Sequence, residues 1–392
     1  MNLNTMLKAF LRQSGLGISR KSTTLKFDPL LPRSLFPFSL KFCSTSSSDQ
    51  HAFAVSYLIN NCGFSPESAL KASKVVRFKT SQKPDSVLTF FRNHGFSDSD
   101  IYSIIKREPW LLSCDTNKRI FPKFRFLISK GASTSDIVLI VTRNPRFLVL
   151  SLENRIIPAY YVVNSILQSD KMVLASIICC PSLLSSNCLV PNVKLLVDNG
   201  VARFNLLSIL RTKPYVISST DLGKIVQELR YLGFDPSKSY FGIALVAKRS
   251  VDKSRWNEKI DTFRRWGWSE ETILEAFRRQ PKCMLTSNDK INKVMQFWVN
   301  QLGWSSSYLV KGPGIFGYSL ENWVIPRALV IQYLLSKGLI SSSASLVTPF
   351  IMSEKLFLKR FVEYFGKEET SQLLKLYQRK MKDEDKRVQR EP

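Results

Sequence analysis

Eight glycines each close an apolar run along this chain: Gly63, Gly95, Gly131, Gly200, Gly233, Gly267, Gly303 and Gly338. Their spacings are 32, 36, 69, 33, 34, 36 and 35 residues. The spacing of 69 reads as two units with one glycine missing near Gln168 to Asp170. Self-similarity at a period of about 30–40 residues marks a repeat array, in which each unit buries its apolar face only against its neighbours. About nine such units fit a chain of 392 residues.

Prolines fall between the glycines. Pro109, Pro145, Pro181, Pro214, Pro281 and Pro313 each follow a helix-like apolar segment, as in Ile104-Ile105-Lys106-Arg107-Glu108-Pro109 and Leu139-Ile140-Val141-Thr142-Arg143-Asn144-Pro145. A Leu/Phe pair usually comes next. Thirteen residues later a second proline recurs at Pro122, Pro158 and Pro326, while Pro191 follows Pro181 by ten. Proline in the first turn of a helix loses no needed N–H, and glycine at C′ ends a helix in the left-handed conformation. Each unit is therefore predicted to be a helix ending before the first proline, a short turn, and a second helix entered at the second proline and closed by glycine. Alternating β patterns with hairpin turns do not recur, so the fold is predicted all-α. The unit around Ala247-Lys248-Arg249 lacks the central proline, and the one at Cys179-Cys180-Pro181 lacks its basic residues.

Composition narrows the chemistry. Two histidines, His51 and His94, leave almost no material for His-based acid–base catalysis, a His-activated nucleophile or a His-rich metal site. The seven cysteines contain no C-x-x-C pair, which argues against a zinc ribbon or a disulfide framework. Cys179, Cys180 and Cys188 are expected to be buried thiols. Gly312-Pro313-Gly314 lacks the G-K-S/T of a phosphate loop, and no paired-carboxylate constellation occurs. Neither an enzyme nor a cofactor or metal is expected. Apolar runs are interrupted well before the roughly 18 residues needed to span a bilayer, so no membrane insertion is expected.

The charge points to an acidic partner. Lys and Arg total 57 against 31 Asp and Glu, a formal net charge of +26. Residues 1–50 account for only +5 of it. Residues 71–146 hold 15 basic and 6 acidic residues, residues 147–202 three of each, and residues 203–293 18 and 10. Around the first proline of each unit lie Lys106 and Arg107, Arg143 and Arg146, Arg211 and Lys213, Arg278, Arg279 and Lys282, and Lys311, and the unit without a central proline has Lys248 and Arg249. Residues at the same phase of a repeat array share a surface, and such a row would track a phosphate backbone. The alternative is that these cations complement helix C-termini and solvate the surface. Trp110 and Tyr215, beside the prolines, are either core residues or stacking platforms for a base.

Met1 to Phe27 lacks acidic residues and is rich in Ser, Thr, Lys and Arg, with Leu3, Met6, Leu7, Phe10 and Leu11 at helical spacing. Residues 1–45 read as an organellar transit peptide, with cleavage near Phe42. The address is mitochondrial or, alternatively, chloroplast. Residues 366–392, dense in both charge signs, read as a charged, frayed helical tail.

The glycine–proline–proline alternation resembles the mitochondrial transcription termination factor (mTERF) family, over roughly residues 52–365. Further details resembling its plant organellar branch are Pro313-Gly314-Ile315-Phe316-Gly317-Tyr318-Ser319-Leu320-Glu321, then Pro326-Arg327, and Ser353-Glu354-Lys355-Leu356-Phe357-Leu358 with Phe361-Val362. The resemblance implies a helical-repeat solenoid, a curved superhelix of units with two α-helices and a short 3₁₀ turn. It also implies work in organellar gene expression, by binding double-stranded DNA to control transcription or by binding structured organellar RNA for intron splicing or rRNA maturation. A scaffold docking a protein partner of the organellar expression machinery is a third reading. A monomer is expected. Pentatricopeptide and tetratricopeptide arrays share the period, but a mid-unit proline would break their helices at about 3 kcal/mol each.

Overall fold

The computed structural model describes residues 46–76, 78–341 and 346–378. The expected transit peptide and its cleavage point lie outside the described residues. Among those residues the chain is helical with no strand. It divides into two compact units, one comprising residues up to 198 with 206–220, the other residues 199–205 with 221 onward.

One local grammar builds both. The helices Asp98–Arg107, Thr134–Arg143, Asp170–Cys179, Arg203–Thr212 and Glu270–Arg279 are each 10 residues long. Ser97 and Ser133 start theirs with reciprocal capping boxes to Asp100 and Asp136, which satisfy backbone N–H groups that have no partner inside the helix. The proline ring disfavours helical geometry in the residue before it. Accordingly Glu108, Asn144, Cys180, Lys213, Gln280 and Gly312 all leave the helix region, with φ between −134° and −148° and ψ between 56° and 88°. A 3₁₀ turn then follows at Pro109–Ser113, Pro145–Leu148, Pro214–Val216, Pro281–Leu285 and Pro313–Gly317.

Those turns drive an apolar pair into the core. Leu111 and Leu112, Phe147 and Leu148, Leu183 and Leu184, Val216 and Ile217, Cys283 and Met284, and Ile315 and Phe316 are all buried. The second helices enter at proline as expected, in Phe121–Ser129, Ile157–Leu167 and Ile325–Ser336. Before two of them, Leu152–Ile156 and Leu320–Val324 open into a π turn. The wider turn accommodates Pro158 and Pro326, whose rings would otherwise press on the carbonyl four residues back. All eight closing glycines have positive φ. At the missing ninth, Gln168 takes the left-handed conformation itself, with φ 54° and ψ 31°.

Three expectations change. Where the central proline is absent, Ser239–Ser250 runs to 12 residues and passes through Val251 straight to the Asp252 cap, without a 3₁₀ turn. The segment before Pro313 is a 3₁₀ helix, Ser306–Lys311, because three serines and the breaker Gly312 leave too short a span for a stable α-helix. Residues 367–378, read as part of a frayed helical tail, are helical as Lys367–Gln378 but docked, with Leu373 and Tyr377 packed in one core cluster with Val330, Ile331, Leu334 and Phe357. Charge density concealed one apolar stripe in that helix.

Candidate nucleic-acid interface

Carbonyls near the proline turns lack helical partners, and donors from the preceding segment supply them. Asn192 donates to the carbonyls of Ile217 at 2.7 Å and Ser219 at 2.6 Å. Lys259 donates to the Thr286 carbonyl, and Lys290 to that of Gly317 at 3.1 Å. Arg327 donates to the carbonyls of Pro349 at 2.7 Å and Met352 at 2.8 Å. Its guanidinium is fully buried between Trp323 and Phe357, 3.7 and 4.6 Å from the ring centres. Burial pushes the affinities of Lys259 and Arg327 for their protons below the ordinary values. Part of the positive charge therefore belongs to the core. A cation directly after Pro326 in an apolar helix was the available sequence signal for Arg327.

The twelve cations singled out by phase separate into three groups. Arg107 and Arg143, the last residues of consecutive first helices, donate to carbonyls of the next unit. Arg107 reaches the carbonyls of Thr142 and of Arg143, the latter at 3.0 Å, and Arg143 reaches that of Ile178 at 3.3 Å. A second group is engaged within the other compact unit. Lys248 pairs with Glu228 and lies 4.0 Å from the Trp256 ring centre. Arg249 faces Asp221 at 3.8 Å, and Arg279 pairs with Glu275 at 2.8 Å. Arg278 donates to the Leu232 carbonyl at 2.9 Å.

The third group is unengaged. Arg146, Arg211, Lys213, Lys282 and Lys311 are exposed and make no ion pair or side-chain hydrogen bond among the described residues. Lys106 is exposed as well, with its ammonium 5.4 Å from the Tyr102 ring centre. Arg146 and Lys282 directly follow their prolines, beyond the helix end, so complementing a helix dipole does not occupy them.

The aromatic candidates differ from one another. Trp110 is half-buried, donates to Glu108 at 2.9 Å and has Arg119 over its ring at 6.0 Å. Tyr215 is exposed, two residues from Lys213, because its neighbour Val216 takes the core position of that turn. Of the three central cysteines, Cys180 is buried, Cys188 half-buried and Cys179 exposed, contrary to a fully buried cluster. Cys179 stands at the helix end that Arg107 and Arg143 occupy elsewhere, which is a surface position.

No group of three or more His, Cys, Asp or Glu is placed to hold a metal among the described residues. No single helix among them is long and apolar enough to cross a membrane.

The mTERF family model matches residues 88–238 and 245–358. Over 80 residues the chain is 26% identical to "Transcription termination factor MTERF15, mitochondrial" of Arabidopsis thaliana. That stretch is 20% of this chain and 18% of the Arabidopsis protein.

Proposed function

Because the chain belongs to the mTERF family, we propose that it is an organellar nucleic-acid-binding regulator that contacts double-stranded DNA and controls transcription. The observation that carries this reading is the set of exposed, unengaged cations, Arg146, Arg211, Lys213, Lys282 and Lys311, recurring at the proline turns. An unengaged cation is available to a phosphate without first giving up an internal partner. Each phosphate neutralised releases counterions and steepens the salt dependence by about 0.9 in log–log slope. Such contacts position a protein on a duplex and carry no base information, so locus choice rests on other features. Mitochondrial action is supported by the name of the Arabidopsis relative.

Crosslinking and immunoprecipitation of the tagged protein from isolated organelles, with DNA and RNA recovered in parallel, tests the reading. Enrichment of a discrete DNA locus that is lost in Arg146→Ala/Arg211→Ala/Lys213→Ala supports it. Enrichment of an intron or rRNA instead moves the activity to RNA processing, and enrichment of neither overturns nucleic-acid binding in favour of a protein scaffold.

A further inference from the structure

Two arginines of the basic row have a role that phase alone does not reveal. Arg107 and Arg143 each end a ten-residue first helix, one unit apart. Each donates to carbonyls in the last turn of the next first helix, where helical geometry leaves the oxygens without a partner. Arg107 is anchored at its base by Ser103, whose carbonyl and hydroxyl it meets at 3.3 Å. One step further on, the helix-end position is Cys179, which makes no such bond. There Ser176 takes over, donating to the Leu210 carbonyl at 2.8 Å. Within one compact unit three successive first helices and the 206–212 part of the fourth are thus tied in series, at Arg107, Arg143 and Ser176. The other compact unit lacks this pattern: its helix-end Arg278 reaches back to the Leu232 carbonyl, and its Arg279 turns to Glu275.

We infer that Arg107 and Arg143 are positioning residues that strap consecutive repeats at a fixed spacing, and that they do not contact phosphate. Resting on the function proposed above, the inference assigns phosphate contact in this unit to Lys106, Arg146, Arg211 and Lys213. A phosphate backbone has a regular repeat, so cations on successive units act together only while the spacing between units is held. The guanidinium suits a strap because its fixed fork can serve two carbonyls at once, as Arg107 does with Thr142 and Arg143. A lysine ammonium on its flexible stem carries the same charge without that geometry.

The test uses the full chain, a random-sequence DNA duplex and a salt titration, with thermal melting alongside. The variants are Arg107→Ala/Arg143→Ala, Arg107→Lys/Arg143→Lys and, for comparison, Arg146→Ala/Arg211→Ala/Lys213→Ala. The straps predict that the Ala and Lys pairs both melt lower by about 5 °C and bind about tenfold more weakly, with the wild-type salt slope kept. The comparison variant loses about 3 units of slope and melts normally. Recovery of affinity and melting in the Lys pair, or a loss of about 2 units of slope in the Ala pair at unchanged melting, would overturn the inference. Wild-type protein without salt-dependent binding refutes the proposed function; the melting of the Lys pair then decides the straps alone.

Discussion

Four cations around the ends of first helices in one compact unit, Lys106, Arg107, Arg143 and Arg146, invite comparison with four in the other, Lys248, Arg249, Arg278 and Arg279, the first two of which belong to the unit without a central proline. By residue type and repeat phase the two sets are alike. In the first, none has a carboxylate partner among the described residues, and the two arginines that are engaged bond to neutral carbonyls, which leaves their charge undiminished. In the second, Glu228, Asp221 and Glu275 stand against Lys248, Arg249 and Arg279. The surplus of 9 charges over residues 71–146 and that of 8 over residues 203–293 therefore differ in kind. A tally of Lys and Arg measures formal charge, whereas a phosphate responds to what is left after internal pairing.

If the second unit spends its cations internally, the largest effect is expected at Arg327. Replacing it with Ala leaves a cavity and two buried carbonyls without donors, a loss of about 4 kcal/mol in urea unfolding of the full chain. A loss under about 1 kcal/mol would break the comparison on that side. On the other side, removing Arg146, Arg211 and Lys213 together is expected to flatten the salt dependence of duplex binding by about 3 units at unchanged melting temperature. An unchanged slope would mean that these exposed cations face solvent only.

Asp221→Asn/Glu228→Gln sharpens the contrast by freeing Arg249 and Lys248. Duplex affinity is expected to rise several-fold in a titration at low salt, chiefly through the exposed Arg249, whose pair contributes about 0–1 kcal/mol to stability, while Lys248, its side chain only 14% exposed, adds less to binding. No gain in affinity would show that cations at these positions do not meet the duplex even when released. The smallest effect is expected from Gln168→Gly, which relieves a left-handed residue and adds about 1 kcal/mol or less to stability. Its salt slope should equal that of the wild type, which makes it a control separating stability from charge.

Much of the fold was legible because it is local. Proline fixes its own φ and restricts the residue before it, so the turns at Pro109, Pro145, Pro214, Pro281 and Pro313 follow from sequence. The gap near Gln168 was legible for the same reason: a unit boundary there requires a left-handed residue whether or not glycine supplies it. The docking of Leu373 and Tyr377 was not legible, since a charged helix shows its single apolar stripe only against a surface that fits it. Nor was the division of the basic row. Arg143 and Arg146 stand three residues apart and look alike in sequence, yet one ends a helix within reach of the Ile178 carbonyl and the other lies beyond the proline with no hydrogen-bond or ion-pair partner among the described residues.

The sequence by itself determined the period, the helical class, the helix ends and the phase of the cations, all consequences of backbone preferences acting over a few residues. Only the tertiary structure decided which cations are straps, which are paired and which stay open. Apart from Arg279, which pairs with Glu275 one turn back in its own helix, that choice depends on carbonyls and carboxylates about 20–46 residues away in sequence, brought into contact by the stacking of units.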